Sequence, residues 1–232
     1  ALAAPASAAA FTVTTTADAG AGSLRQAVLD ANASPGADTI TFAASVTGEI
    51  VLATAEIEIT EGVTISGPGS GVLTISGDDV SQIFEISSAA GETTAITGLT
   101  LTEGDTGGSG GAVTSYASTN IVLDDVVISD SFADDDGGGL YLGFDSADGV
   151  TVTITNSRFE GNRVDDRNGG GAAIWGATVT ISNVVFQGNA TEDYGGGLYI
   201  SDSTTTISDS TFTGNSSQQD GGGLYITDPT GP

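Results

Sequence analysis

Four glycine-rich segments decide the fold of this chain: GGGLYL at Gly137, GGGAAIW at Gly169, GGGLYI at Gly195 and GGGLYI at Gly221. A degenerate copy, SGGAV, begins at Ser109. Each segment closes a repeat unit of about 26 to 31 residues. Self-similarity at this period predicts a stacked repeat architecture, in which each unit buries its apolar face against the next unit.

Within each unit, apolar and polar residues alternate, as in Thr151–Ile154 and Thr178–Ile181. This period of two, together with many β-branched residues, is typical of strands. Glycine, Asn and Asp divide each unit into three short strands. Such a unit is too short for a propeller blade and lacks the helix of an ankyrin or tetratricopeptide repeat. The pattern therefore predicts the coils of a parallel β-helix.

Stacked coils place equivalent residues in columns along the axis. Two columns are expected to face the core: Leu140, Ala172, Leu198 and Leu224, and Leu142, Ile174, Ile200 and Ile226. Between them, Tyr141, Tyr199 and Tyr225 are expected to point outward, with Trp175 nearby. These four aromatic residues are candidates for contact with a glycan or with a neighbouring subunit. The alternative interpretation is β-propensity on a half-exposed face.

The N-terminal part of the chain carries one predicted helix, from Ser23 to about Ala33. Ser23 and Gln26 have the spacing of a capping box, and an apolar face is formed by Leu24, Ala27, Val28 and Ala31. We expect the helix to cover the first coil, since an open coil end exposes unpaired strand edges. The predicted regions are an Ala-rich segment at 1–10, a capping strand and helix at 11–39, the β-helix at 40–228 and a tail at 229–232.

Composition excludes several classes of function. The chain of 232 residues has 30 acidic residues against four basic ones, a formal net charge of -26. Nucleic acid and anionic membrane are therefore poor partners, because both reward clustered cations. There is no cysteine, methionine or histidine, which excludes a zinc site, disulfides and imidazole base catalysis. No stretch reaches the length of a membrane span.

Residues Phe11 to Ala43, FTVTTTADAGAGSLRQAVLDANASPGADTITFA, resemble the N-terminal segment of CSLREA-type bacterial secreted β-helix proteins. Gly22 replaces the cysteine of the family's name motif, and Arg25-Gln26-Ala27 replaces its Arg-Glu-Ala. The resemblance implies an all-β, right-handed parallel β-helix, or solenoid, with a short N-terminal capping α-helix. It also implies export to the cell surface. The small residues of ALAAPASAAA, at 1–10, resemble the end of a secretory signal or form an assembly arm, which again indicates a secreted or surface protein.

Acidic residues collect in the turn before each glycine run. They are Asp134, Asp135, Asp136, Asp165, Asp166, Glu192, Asp193 and Asp220. Oxygen ligands from adjacent coils could converge on Ca²⁺, and the alternative is a solvated acidic edge. A polysaccharide lyase or hydrolase would need differently tuned partners among these residues, and repeated turns explain the acids without that requirement.

Asparagines and the chain ends give two further hypotheses. Candidate glycosylation sites are Asn32, Asn189 and Asn215, of which the last two also belong to a predicted turn ladder with Asn162. Because solenoids need capped ends, the last coil could pair head-to-tail with another copy of the chain and form a filament.

These observations predict a non-catalytic extracellular structural protein that requires no cofactor. The alternatives are an adhesin that binds glycan or calcium and, third, a polysaccharide lyase or hydrolase. The predicted partners are the chain itself or glycans, without nucleic acid and without membrane insertion. Fold alone cannot choose among these functions.

Overall fold

A computed structural model describes residues 8–144 and 149–227. In these ranges the chain forms a right-handed parallel β-helix of about eight turns, which confirms the predicted fold class. The predicted tail at 229–232 and most of the Ala-rich segment, residues 1–7, lie outside the described residues. No helix in the described ranges has the length and apolarity that crossing a bilayer requires.

One helix and 25 strands make up the described chain. In chain order they are β1 (Ala10–Val13), α1 (Leu24–Asn32), β2 (Asp38–Phe42), β3 (Gly48–Val51), β4 (Ile57–Ile59), β5 (Val63–Ser66), β6 (Leu73–Ser76), β7 (Phe84–Ile86), β8 (Thr93–Thr102), β9 (Asp105–Thr106), β10 (Val113–Ser115), β11 (Asn120–Ser129), β12 (Phe132–Ala133), β13 (Leu140–Gly143), β14 (Thr151–Thr155), β15 (Arg158–Glu160), β16 (Arg163–Val164), β17 (Ala172–Trp175), β18 (Thr178–Ser182), β19 (Val185–Gln187), β20 (Ala190–Thr191), β21 (Leu198–Ser201), β22 (Thr204–Ser208), β23 (Thr211–Thr213), β24 (Ser216–Ser217) and β25 (Leu224–Thr227).

The strands form three parallel sheets. The first sheet has 13 strands and is built around the order β1-β2-β5-β8-β11-β14-β18-β22. The second has seven strands in the order β25-β21-β17-β13-β10-β7-β4, and the third has five in the order β24-β20-β16-β12-β9. The coils from β8 onward contribute to all three sheets, whereas the coils that begin at β2 and β5 contribute to the first two sheets only.

The core consists of the predicted columns. Leu140 pairs in register with Ala172, which pairs with Leu198, and all three side chains are buried. A third column stacks Phe159, Phe186 and Phe212, with ring centroids 4.8 and 4.9 Å apart. The prediction of a core position is wrong for Ile226, which is 50% exposed. Its strand, β25, is the last of its sheet in the described chain, so no described coil covers it.

Two ladders of Asx residues shape the turns. Asp125, Asn156, Asn183 and Asp209 all have left-handed backbone, with φ between 49° and 56°, a conformation that Asn and Asp adopt more readily than most residues. The glycine runs are explained by the close packing of adjacent coils. A Cβ at Gly170 would collide with the carbonyl oxygens of Ala190 and Gly196 in the adjacent coil. Close approach of successive coils therefore excludes side chains at this position.

Helix α1 covers the first coil. Its buried residues are the predicted ones, Leu24, Ala27, Val28 and Ala31, and it packs against β1, β2 and β4. The Ser23 side chain accepts a hydrogen bond from the Gln26 backbone N–H at 3.1 Å. The reciprocal half of the predicted capping box is absent from the described contacts, because the Ser23 backbone N–H donates to the Gly20 carbonyl at 3.1 Å. The Gln26 side-chain amide donates to Asp30 instead. Strand β1 pairs with β2, so the parallel ladder already includes Ala10–Val13.

Candidate functional site

Six aromatic side chains form one continuous strip along the second sheet, where four lie on β13, β17, β21 and β25, Tyr116 follows β10, and Tyr194 lies in the turn before β21. The strip contains Tyr116, Tyr141, Trp175, Tyr199, Tyr225 and Tyr194 in order of contact, which are all five tyrosines and the one tryptophan of the chain. Successive ring centroids are 5.0, 5.2, 5.0, 5.7 and 4.8 Å apart. The strip thus follows the axis across β10, β13, β17, β21 and β25.

The strip alternates between two columns, since Tyr116 and Trp175 occupy one of them and Tyr141, Tyr199 and Tyr225 occupy the other. Tyr141 is in register with Ala173 and Tyr199, whereas Trp175 is in register with Gly143 and Ser201. Ala173 leaves space in the tyrosine column, and the indole ring fills the gap from the neighbouring column. Gly143 also leaves room for the strip, since a Cβ at this position would collide with the Tyr141 ring.

The rings of the strip are accessible from solvent. Tyr116 is 59% exposed and the other five side chains are half-buried. Four of the five ring contacts are tilted by 37° to 49° and only Tyr199 and Tyr225 are close to parallel, at 8°. Tilting leaves parts of the ring faces open to a ligand. The sequence prediction missed Tyr116 and Tyr194. Alignment of SGGAVTSY with the complete repeats could have found Tyr116, because it falls at the position of Gly143 and Trp175.

A cleft of about 420 Å³ lies beside the N-terminal end of the strip. It is lined by Tyr116, Asp136, Tyr141, Gly143, Phe144, Arg167 and Trp175. The Asp136 side chain is 9% exposed, and its Oδ1 accepts hydrogen bonds from the backbone N–H and the side-chain amide of Asn168, at 3.0 and 3.1 Å. The Arg167 guanidinium lies 3.4 Å from Asp135 and 3.8 Å from Asp136. The cleft therefore combines aromatic walls with an acidic and a basic group.

Burial raises the pKa of three groups in the cleft and the strip. Desolvation raises the pKa of Asp136, although the Asn168 hydrogen bonds and Arg167 act in the opposite direction. Desolvation also raises the pKa of Tyr141 to about 12, with smaller contributions from Tyr116 and the Asp136 charge. The pKa of Tyr199 is raised mainly by burial. The two tyrosines are therefore neutral hydrogen-bonding groups across the physiological range.

The acidic turn residues do not form a preformed metal cluster. In residues 8–144 and 149–227, no three carboxylates converge on a point that could hold a metal ion. Asp135 and Asp136 face Arg167, and Asp165 pairs with Arg163. Outside the strip, desolvation and the charges of Asp79 and Asp134 raise the pKa of Asp105. Calcium binding by the acidic turns stays a prediction.

The candidate glycosylation sites are used by the fold itself. Asn189 has an exposure of 0%, and its Nδ2 donates to the Phe159 carbonyl and to Asn215 Oδ1, both at 2.9 Å. This burial opposes modification of Asn189 in the folded chain, and glycosylation at the three sites stays a prediction. Asn215 Nδ2 donates to the Phe186 carbonyl, and Asn32 Nδ2 donates to the Glu58 carbonyl.

Comparison with known proteins places the chain in a broad class. Residues 50–230 match the family described as a right-handed β-helix region. No curated protein matches the chain. Among solved structures, ORF18 of Geobacillus virus E2 is similar at 11% identity with a TM-score of 0.33, over 94% of this chain and 61% of that one. This chain thus spans about three fifths of the viral protein's length.

Proposed function

The chain belongs to the right-handed β-helix family, and we propose that it is a non-catalytic extracellular module that binds a glycan along its aromatic strip. The observation that carries this proposal is the continuity of the strip. All the tyrosines and the tryptophan of the chain lie along one sheet, each in contact with the next, from β10 to β25. The repeat alone places Tyr141, Tyr199 and Tyr225 in one column. It does not explain why Tyr116, Trp175 and Tyr194, which occupy other positions of the repeat, also contact them.

An extended polysaccharide is the ligand that this geometry fits best. The rings repeat at close to the spacing of one coil, so the surface is long, narrow and regular. The apolar faces of sugar rings can pack against aromatic side chains, while hydroxyl groups need hydrogen-bonding partners at the edge. Asp136, Arg167 and the neutral hydroxyl of Tyr141 supply donors and acceptors beside the rings.

The charge of the protein favours a neutral or cationic glycan. A formal net charge of -26 repels acidic polysaccharides, and the repulsion is strongest at low ionic strength. Asp135 and Asp136 lie at the cleft itself and face its one arginine. A uronate chain would therefore meet one cation and two anions there.

Two sequence features support an extracellular location. The small residues at 1–10 resemble the end of a secretory signal, and residues 11–43 resemble the opening of CSLREA-type surface proteins. A surface module with a glycan-binding face would act in adhesion. Head-to-tail assembly into a filament stays a prediction, because the coil that ends at Thr227 is the last that the structure describes.

Affinity gel electrophoresis tests glycan binding. The chain is run through gels that contain neutral, cationic or acidic polysaccharides, and we expect retardation in at least one neutral or cationic gel. Trp175→Leu should lose most of the retardation, whereas Val80→Ala, which changes an apolar residue that is 73% exposed outside the strip, should keep it. Equal migration of the native chain in all gels would refute the proposal.

A specific observation also supports a second candidate, a polysaccharide lyase or hydrolase. The buried carboxylate of Asp136 has a raised pKa and lies in the cleft with Arg167, the setting that an acid catalyst requires. Asp135 is the neighbouring carboxylate that a hydrolase would need as its partner. Release of new reducing ends that disappears in Asp136→Asn would favour this candidate over a non-catalytic module.

A further inference from the structure

Asp38 is a buried carboxylate in a column where the other coils carry Val, Ile or Thr. It begins β2 and is in register with Val63 of β5, and later coils place Thr94, Ile121, Val152 and Val179 at the same point of the sheet. Those side chains are buried. Asp38 is only 1% exposed, so an acid occupies a column whose other members are uncharged.

The hydrogen bonding of Asp38 is incomplete. Its Oδ1 accepts a hydrogen bond from the backbone N–H of Ala9 at 2.6 Å. Its Oδ2 is buried and has no partner among the described residues. A buried carboxylate with one unpaired oxygen is costly, and native proteins almost always provide a partner.

The side chains of the protein offer no cation for this carboxylate. The sequence contains neither lysine nor histidine. Each of its four arginines forms an ion pair with another acid: Arg25 with Asp18, Arg158 with Glu160, Arg163 with Asp165, and Arg167 with Asp135. A free α-ammonium group is the remaining cation that a chain of this composition can supply.

The backbone already places the nitrogen of Ala9 where such a cation is needed. Ala9 is held from both sides, since its N–H donates to Asp38 and its carbonyl accepts from the Thr39 N–H at 2.9 Å. Ala8 is exposed, so the Ala8–Ala9 bond can be reached by an enzyme. In the sequence, Ala6-Ser7-Ala8 has the small-residue A-x-A pattern after which signal peptidases cleave; Ala6 and Ser7 lie outside the described residues.

We propose that an endopeptidase specific for small residues hydrolyses the Ala8–Ala9 bond, and that the new α-ammonium group of Ala9 forms a buried ion pair with Asp38. Water adds to the Ala8 carbonyl carbon and the Ala8–Ala9 C–N bond breaks. Ala8 leaves as a carboxylate, and the two protons of the water pass to the Ala9 nitrogen, which becomes an ammonium group. The three N–H donors of that group satisfy both carboxylate oxygens. Processing thus completes the N-terminal end of the core, independently of any glycan binding at the strip.

The same sequence offers another A-x-A pattern, Ala8-Ala9-Ala10, which predicts cleavage before Phe11. Cleavage there would remove Ala9 and the one hydrogen bond to Asp38 that the structure shows. The hydrogen bond between Ala9 and Asp38 therefore favours Ala9 as the first residue of the mature chain.

Chains with defined first residues test the ion pair. Fusion to a removable tag whose protease leaves no extra residue yields forms that begin at Ala8, Ala9 or Phe11. We expect the Ala9 form to unfold at a temperature higher than both others, by about 2–8 °C. A folded Ala9 form should also react with an amine-acylating reagent at least about tenfold more slowly than the same chain in urea, because the ammonium group is buried and paired.

Asp38→Asn should remove the advantage of the Ala9 form over the Ala8 form. If that variant does not fold, the melting temperatures of the Ala8, Ala9 and Phe11 forms still test whether the ion pair exists. Equal melting temperatures of the Ala8 and Ala9 forms, or an Ala9 amine that is acylated equally fast with and without urea, would overturn the ion pair. N-terminal sequencing of the chain secreted by its producing cells should give Ala9, and any other first residue would overturn the processing site.

Discussion

The indole ring of Trp175 lies 5.2 Å from the ring of Tyr141, although the two residues stand in different columns of the same sheet. The contact exists because the coil at Gly169 carries Ala-Ala-Ile-Trp where its neighbours carry Leu-Tyr-Leu and Leu-Tyr-Ile. The aromatic residue is moved two positions along the strand, and Ala173 makes room for it. A strip that stays continuous through such a shift is the basis of the proposed glycan surface.

A double-mutant cycle measures this contact. Tyr141→Leu and Trp175→Leu should each lower the free energy of unfolding, with a coupling energy of about 0.5–1.5 kcal/mol between them. Tyr141→Leu combined with Phe212→Leu is the control, since Phe212 belongs to another sheet and the two effects should add. A coupling energy of zero for Tyr141 and Trp175 would show that the two rings do not support each other.

Glycine at position 171 is required by the close approach of coils. A Cβ there would collide with the Gly197 carbonyl oxygen and lie 3.0 Å from the Asn189 side chain. We expect Gly171→Ala to destabilise the fold by about 1–3 kcal/mol in urea unfolding. Gly71→Ala is the matched control, because a Cβ at Gly71 meets no atom within 4 Å. Similar midpoints for the two variants would contradict the packing explanation.

The buried asparagine ladder predicts a large loss of stability when Asn189 is replaced. Its Oδ1 accepts from the Asn162 backbone N–H at 3.0 Å, and its Nδ2 donates to the Phe159 carbonyl at 2.9 Å. Asn189→Ala leaves these buried groups unpaired and should cost about 1–3 kcal/mol or more. Thr180→Ala, at an exposed strand position, should change stability by less than about 0.5 kcal/mol. Mass spectrometry after expression in a glycosylating host should show Asn189 unmodified.

The raised pKa of Asp136 predicts that the effect of Asp136→Asn on stability depends on pH. Because burial raises its pKa in the folded state, ionisation of Asp136 favours the unfolded state. Its contribution to stability is fully present below the unfolded pKa and is lost as the pH rises through the folded one. Asp136→Asn should therefore be more stable than the native chain at pH 7, and this difference should shrink towards pH 3.

Thermal melts across this pH range check the prediction. The amide oxygen that Asp136→Asn introduces can still accept the hydrogen bonds of Asn168, so the substitution keeps the local geometry. Asp135→Asn is the control, since the neighbouring Asp135 side chain is 45% exposed and lacks the burial from which the effect at Asp136 is derived. An Asp136→Asn variant that is less stable at pH 7 than at pH 3, relative to the native chain, would contradict the assigned cause.

The fold was predictable because every coil of a β-helix needs the same pattern of apolar, glycine and Asx residues, so this pattern repeats along the sequence. The Leu140 column, the left-handed turn at Asn156 and the buried face of α1 all follow from local patterns that repeat or from one capped helix. The site was only partly predictable. Tyr141, Tyr199 and Tyr225 share a column, but the contact of Trp175 with two of them depends on side-chain size at Gly143 and Ala173 in adjacent coils.

Burial of single acids was not predictable from the same patterns. Asp136 and Asp135 are adjacent in an acidic turn, yet only Asp136 is enclosed, because Asn168 of the next coil closes over it. Asp38 was not singled out in the sequence, since an aspartate at a strand start is ordinary turn chemistry. Its core position becomes visible only when β2 is aligned with Val63 and later coils.

The most direct test of the glycan surface is a fluorescence titration, since Trp175 is the single tryptophan and lies within the strip. Neutral oligosaccharides of increasing length are added to the native chain and to Tyr141→Leu. We predict a saturable change in Trp175 emission whose affinity increases with oligosaccharide length and falls at least about tenfold in the variant. An emission spectrum that stays constant with every oligosaccharide would contradict the assignment of the strip as a glycan-binding surface.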